Sequence, residues 1–367
     1  MSDYQIIDAD GHVMELDDQL REHIGPPYKD LEWHRSYSFW PGLTMDGYLR
    51  SLRKAGGWAG GGTGPNAHDW LAFLDKNKIE LTVLYPTQGL THAAIQDRDW
   101  AIALARAYND WLYHRFMRVS PRLVGVALLP IQDIAEAVRE LSRCVTELGM
   151  VGAVLPAVAI GGRLFSGPEF YPLWEEAQKL DVPISTHGGL SFPNLGLDYA
   201  ANFTVAHTLE HPFAQMRQLV SMIFEGVFEL FPKLRYGVLE CGVGWVPFMM
   251  DRMDEEQERK GQYSPRCKQR PSEYLRQGNI FFAAEVGETA LPLAAQVLGS
   301  DAIIWASDYP HERDQRDFSE DIPTLIGRKD INEQLKRKIF FDNPLRFYPR
   351  LRGRLEKEEL SSRAAAS

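Results

Sequence analysis

The stretches Tyr4–His12 (YQIIDADGH), Val182–Gly189 (VPISTHGG) and Ile303–His311 (IIWASDYPH) share one pattern, a short apolar run stopping at a side chain able to bind a metal. Such runs are the mark of buried parallel strands, each delivering its last residue to one face. Asp10 and His12 stand two apart. In a strand they point to the same side, and Gly11 lets another part of the chain pass close. Together with His187 and Asp308 they make a set of two carboxylates and two imidazoles, which suits zinc, manganese or iron(II). An isolated Asp-x-His would more often be a capping carboxylate beside a hydrogen-bonded histidine; three strand ends in order point to a metal site.

Working outward, strand-like and helix-like segments alternate. Strands are expected at Leu81–Tyr85, Leu123–Leu129, Val151–Leu155, Arg235–Leu239 and Asn279–Ala283, besides the three that end in ligands. Helices are expected over Trp100–Met117, Ile134–Leu148 with Gly149 as its C-cap, Phe170–Lys179, Pro212–Leu230 and Ala290–Leu298. Eight strands with intervening helices fit an α/β fold of the (β/α)8 TIM-barrel type with an elaborated insertion after strand one. The candidate ligands then lie at the C-terminal ends of strands one, five and eight, where such barrels carry their active sites. An open doubly wound sheet gathers its site at one switch point and would not draw on those three strands together.

The barrel is expected to occupy residues 1–352, including an insertion or lid over 17–69 whose tip is GGWAGGGTG, with a polar tail over 353–367. With 367 residues and 44% hydrophobic content the chain can bury a large core. A net charge of -10 argues against nucleic acid or an anionic membrane surface as the partner. Three cysteines, Cys144, Cys241 and Cys267, imply no disulfide framework, and no apolar run is long enough to cross a membrane. A reducing, cytoplasmic setting is the expectation.

Further candidates surround the four ligands. Glu240, after YGVL, should reach the barrel mouth as a general base or a ligand of a second ion, against a rim hydrogen bond as the alternative. His207 and His211 stand four apart, on one helical face if the helix begins before them; Pro212 instead places His211 near a helix N-cap, where it would bind an anionic substrate group or shuttle a proton. His207 is a weaker substrate-binding candidate, and packing or capping is the alternative for both. Glu15 is read as a surface or helix-start carboxylate, Cys241 as a small buried residue, and His311 as a partner of the ligands. Trp245, Phe248 and Met249 read as packing, and His23, His34, His68, His92 and His114 are given no role.

With these motifs, joined by NDWLYHRF, FPKLRYGVLECGVGWVPFMMDRMDE and DNPLRFY, the chain resembles the amidohydrolase superfamily, in the amidohydrolase 2 branch that includes aminocarboxymuconate semialdehyde decarboxylase. The resemblance implies a metal-dependent barrel with Asp10, His12, His187 and Asp308 around one ion, Asp308 doubling as a proton acceptor, and a homodimer. Two departures stand out: Asp10-x-His12 replaces the usual pair of histidines, and Glu240-Cys241-Gly242 stands where the decarboxylases have a histidine followed by glycines. The second departure favours a hydrolase that turns metal-activated water on an amide, ester, lactone or thioester of a small organic acid. Nonoxidative decarboxylation of an aromatic or unsaturated carboxylic acid is the alternative, and a catalytically silent barrel acting as a binding protein is a third.

Overall fold

The structure, a computed structural model, describes residues 4–30, 38–41, 64–157, 163–188, 203–311 and 317–355. The expected glycine-rich tip, Gly64 aside, and the polar tail from residue 356 onward lie outside the described residues.

Every strand is parallel to its neighbours and every residue in the strands is buried. The described strands are β1 (Ile7–Val13), β2 (Leu81–Pro86), β3 (Leu123–Gly125), β4 (Ala127–Leu128), β5 (Ala153–Pro156), β6 (Ile184–His187), β7 (Tyr236–Val238), β8 (Ile280–Ala284) and β9 (Ile303–Trp305). They pair in chain order as β1-β2-β3 and β4 to β9. The expected third strand, Leu123–Leu129, is divided at Val126. There the Val126 N–H donates to Leu84 O at 3.2 Å and the Ala127 N–H to Gly152 O at 2.9 Å, so the chain changes partner from β2 to β5 within one residue. Helices between the strands complete a (β/α)8 barrel.

The barrel closes between β1 and β9, through residues that the sequence singled out. The His12 N–H donates to Tyr309 O at 2.7 Å, and the Asp308 N–H donates to Asp10 O at 3.0 Å. A third carboxylate reinforces the seam. Asp8 Oδ1 accepts from the Ser307 N–H at 2.8 Å, and Asp8 Oδ2 accepts from the hydroxyls of Thr82 at 2.7 Å and Ser307 at 2.8 Å. One buried side chain thus joins β1 to both of its neighbours.

One expectation is borne out and one is corrected. The first strand, whose apolar run ends at Ile7, continues to Val13 with Asp8, Asp10 and His12 buried, in keeping with the strand reading of Asp10 and His12. A register shift between Asp8 and Gly11 inserts an extra residue into β1 and turns the ligand pair toward the barrel mouth. The helix expected to start at Pro212 instead spans Phe203–Phe224, with Pro212 inside it. Proline removes its own N–H donor from the ladder and its ring crowds the carbonyl four residues back, a cost that the helix on both sides outweighs here. His211 is therefore a helix-interior residue, and the N-cap role given to it does not apply.

Candidate metal centre

The ends of β1 and β6 bring three side chains to one point. His12 Nε2 lies 3.1 Å from His187 Nε2 and 3.5 Å from Asp10 Oδ1, and His187 Nε2 lies 3.1 Å from Asp10 Oδ2. Asp308, just past β9, reaches His12 Nε2 at 3.4 Å through Oδ1. All four residues expected as ligands therefore meet around His12 Nε2. Gly11 makes this approach possible, since a Cβ there would lie 2.4 Å from Trp70 Cη2 and 2.7 Å from Thr82 Oγ1.

Hydrogen bonds at the far side of each ring set its orientation. His12 Nδ1 is 2.9 Å from Pro86 O, and His187 Nδ1 is 2.5 Å from Gly188 O and 3.2 Å from Glu240 Oε2. A carbonyl can only accept, so each Nδ1 carries a proton and each Nε2 is turned inward, where it offers a lone pair once unprotonated. Two lone pairs facing each other at 3.1 Å repel unless a proton or a cation lies between them. Asp10 Oδ1 adds a buried oxygen that receives no hydrogen bond. A carboxylate left this way is stable only against positive charge. With Nδ1 tied back and Nε2 turned inward, the donor set fits a divalent cation.

The site's charges are strongly coupled. Burial raises Asp10 above the ordinary carboxylate range. Burial, then the neighbouring His311 and His187, holds His12 well below the ordinary imidazole value. For His187, burial works downward but the charges of Asp10 and Glu240 outweigh it and raise the ring to about 10. Burial pushes Asp308 up, yet His311 outweighs it and the carboxyl ends below its usual range. Burial raises Glu240 to about 8.

His311 does more than stand near the ligands. Its Nδ1 lies 2.7 Å from Asp308 Oδ1, its Nε2 lies 2.9 Å from Thr87 Oγ1, and its ring stacks on His12 with centroids 4.0 Å apart. Asp308 keeps 27% of its side chain exposed and Glu240 18%, whereas His12 and His187 are fully buried. Access to the site is therefore from the side of the two carboxylates.

Glu240 and Asp308 share a backbone feature invisible in the sequence, a left-handed conformation with φ 55° at each. Non-glycine residues adopt it at a cost of order 1–3 kcal/mol, and such outliers gather at functional sites. His211 Nε2 is 3.7 Å from Glu240 Oε2, and the His207 ring meets the His211 ring edge-on with centroids 4.4 Å apart. Burial, then His207, lowers His211 well below the ordinary imidazole value.

Glu15 is not the surface carboxylate expected. It is fully buried and accepts the N–H groups of Thr87, Gln88 and Gly89 at 3.2, 2.9 and 2.9 Å, holding the loop after β2 that carries Thr87. Cys241 is half-buried, with Sγ 3.7 Å from Gly242 O. Trp245 packs on Phe282, as expected of a packing residue, but Phe248 is 67% exposed. Asp8 and Thr87 were missed. The spacing of Asp8 from Asp10 is a signal for the first; nothing local marks the second.

A family profile described as amidohydrolase matches residues 67–350. The gamma-resorcylate decarboxylase of Rhizobium radiobacter is 30% identical over 255 residues, 66% of this chain and 76% of the relative. The 2-keto-4-carboxy-3-hexenedioate hydratase of Sphingobium sp. is 28% identical over 308 residues, 79% of this chain and 84% of the relative. Among solved structures, a dihydroxybenzoic acid decarboxylase from Polaromonas sp. JS666, with bound manganese and an inhibitor, superposes with a TM-score of 0.70 at 21% identity, covering 94% of this chain and 97% of that one. No helix among the described residues is long and apolar enough to cross a membrane.

Proposed function

This chain belongs to the amidohydrolase family, and from that premise we propose that it is a divalent-metal-dependent nonoxidative decarboxylase of aromatic or unsaturated carboxylic acids. The observation that carries the proposal is its 30% identity to gamma-resorcylate decarboxylase, in a chain whose barrel mouth holds the expected ligands together. Hydrolysis ranked first on the sequence because Glu240 replaces a histidine. The activities named for the relatives reverse that order.

In this reading Asp10, His12, His187 and Asp308 hold the ion. A bound divalent cation supplies positive charge to the substrate's carboxylate and a neighbouring oxygen. Asp308 and His311, 2.7 Å apart, hold one proton between them at the accessible side. That proton passes to the carbon bearing the carboxylate; the bond to the carboxyl carbon then breaks, its electron pair returns to the unsaturated system, and carbon dioxide leaves. Solvent restores the proton to the Asp308–His311 pair. Glu240 and His211 stand beside this opening and orient the substrate or assist proton transfer, with the His207 ring edge-on against His211.

A second reading, addition of water to an unsaturated or acyl carbon, is favoured by Glu240, a carboxyl raised to about 8 by burial at the mouth of the site. A group of that pKa serves as a general acid or base near neutral pH. The hydratase relative supports the same chemistry. Incubation with manganese and ortho-hydroxy aryl carboxylates, with trapping of released gas, separates the two. Release of carbon dioxide that is lost in His187→Ala is expected; turnover of esters or hydration of enoic acids without carbon dioxide would overturn the first reading in favour of the second.

A further inference from the structure

We propose that His207, His211 and Glu240 form a second divalent-cation site beside the first, one that takes an ion of the zinc class and leaves positions open for a carboxylate oxygen of the substrate. The proposal rests on reading the barrel mouth as a metal centre, and extends it to a group of residues that the first ion does not use.

The helix Phe203–Phe224 carries both histidines. A spacing of four places them on one helical face, one turn apart, the arrangement by which helices present paired imidazoles to a metal. Their rings are in edge-on contact, centroids 4.4 Å apart. The ligating atoms of His207, His211 and Glu240 all lie within 4.8 Å of one another. Ligands bonded at about 2.1 Å in a tetrahedron stand about 3.4 Å apart. The 3.7 Å between His211 Nε2 and Glu240 Oε2 is close to that separation and too long for a hydrogen bond. Two imidazoles and one carboxylate, with further positions open, is the donor set of a catalytic zinc site.

Two independent features hold this group in place. Glu240 keeps its left-handed backbone at φ 55°, which sets its carboxylate between His187 and His211. Gly188 keeps the space clear: a Cβ there would lie 2.4 Å from Glu240 Oε2 and 2.4 Å from His211 Cδ2. Any side chain at 188 would drive the carboxylate and the imidazole apart. His187 links the two sites, its Nε2 facing Asp10 at 3.1 Å and its Nδ1 facing Glu240 at 3.2 Å.

The test is a count of zinc bound by the full chain after chelator treatment, zinc reloading and gel filtration, read by elemental analysis. Wild type should hold two ions per chain, His12→Ala one, His207→Ala one and the double variant none. His207 is only half-buried, so its replacement should leave the fold intact, with circular dichroism as the check; His207→Gln serves if the alanine variant misfolds. One ion in wild type, unchanged in the His207 variants, overturns the second site. If His12→Ala retains both ions while His207→Ala loses one, the second site stands and the reading of the first site fails.

Discussion

His12 Nε2 and His187 Nε2 face each other at 3.1 Å from opposite sides of the barrel, each ring fixed by a backbone carbonyl at its Nδ1. The fold uses its orienting hydrogen bonds to turn two Nε2 atoms toward one point. Replacing His187 with Ala should lower the manganese retained through gel filtration, and removal of metal by chelator should lower the melting temperature of wild type by more than that of His187→Ala. Equal metal content in the two proteins would refute the assignment.

Metal binding should release protons. With no ion bound, the charges of Asp10 and Glu240 hold His187 at about 10, so below that pH the ring is protonated. A cation can bind Nε2 only after displacing that proton, and affinity therefore rises with pH up to about 10 and falls in acid. Calorimetry at pH 7 in buffers of different ionisation enthalpy should report about one proton released per ion; no buffer dependence would contradict it.

His311 should matter through Asp308. Replacement by Asn removes the contact at 2.7 Å and the stack on His12, and groups that orient metal ligands are worth about 10–100-fold in affinity or turnover. Thr87→Val, which removes only the partner of His311 Nε2, should act in the same direction and less. Competition with a fluorescent chelator measures both.

Acid stability should depend on His92, a buried ring whose Nε2 donates to Ala101 O at 2.8 Å. Burial lowers it from 6.5 to about 4. Its folded pKa lies below its unfolded one, so the unfolded chain takes up the proton first as pH falls. Stability is full above pH 6.5 and is lost as pH falls toward 4, by about 3 kcal/mol in all. Urea titrations of wild type and His92→Gln across that window should show the variant with the shallower loss.

Gly11→Ala should destabilise the fold by about 1–3 kcal/mol, the usual range for overpacking, because its Cβ would meet Trp70 and Thr82 at 2.4 and 2.7 Å. Urea unfolding checks the loss, and a fall in metal affinity should accompany it, since the same backbone carries Asp10 and His12.

What the sequence disclosed depended on range. The barrel and the four candidate ligands that it brings together were legible because burial on both faces writes an unbroken apolar run into each strand, and the run stops where polar side chains start. The second half of β1 breaks that pattern, being polar yet buried, because Asp8 is satisfied by Thr82 and Ser307 from other segments. The start of the helix carrying His207 was misplaced because proline's preference for a first turn was treated as a requirement. Thr87 and the left-handed backbones at Glu240 and Asp308 left no local trace, since their causes are contacts between distant segments.

The seam between β1 and β9 ties residues 10 and 12 to residues 308 and 309, so the two edges that complete the cylinder are the first and last of the described strands. Every intervening strand must be in place before the cation pocket can exist, so the pocket is a product of complete barrel closure and of no smaller part of the fold.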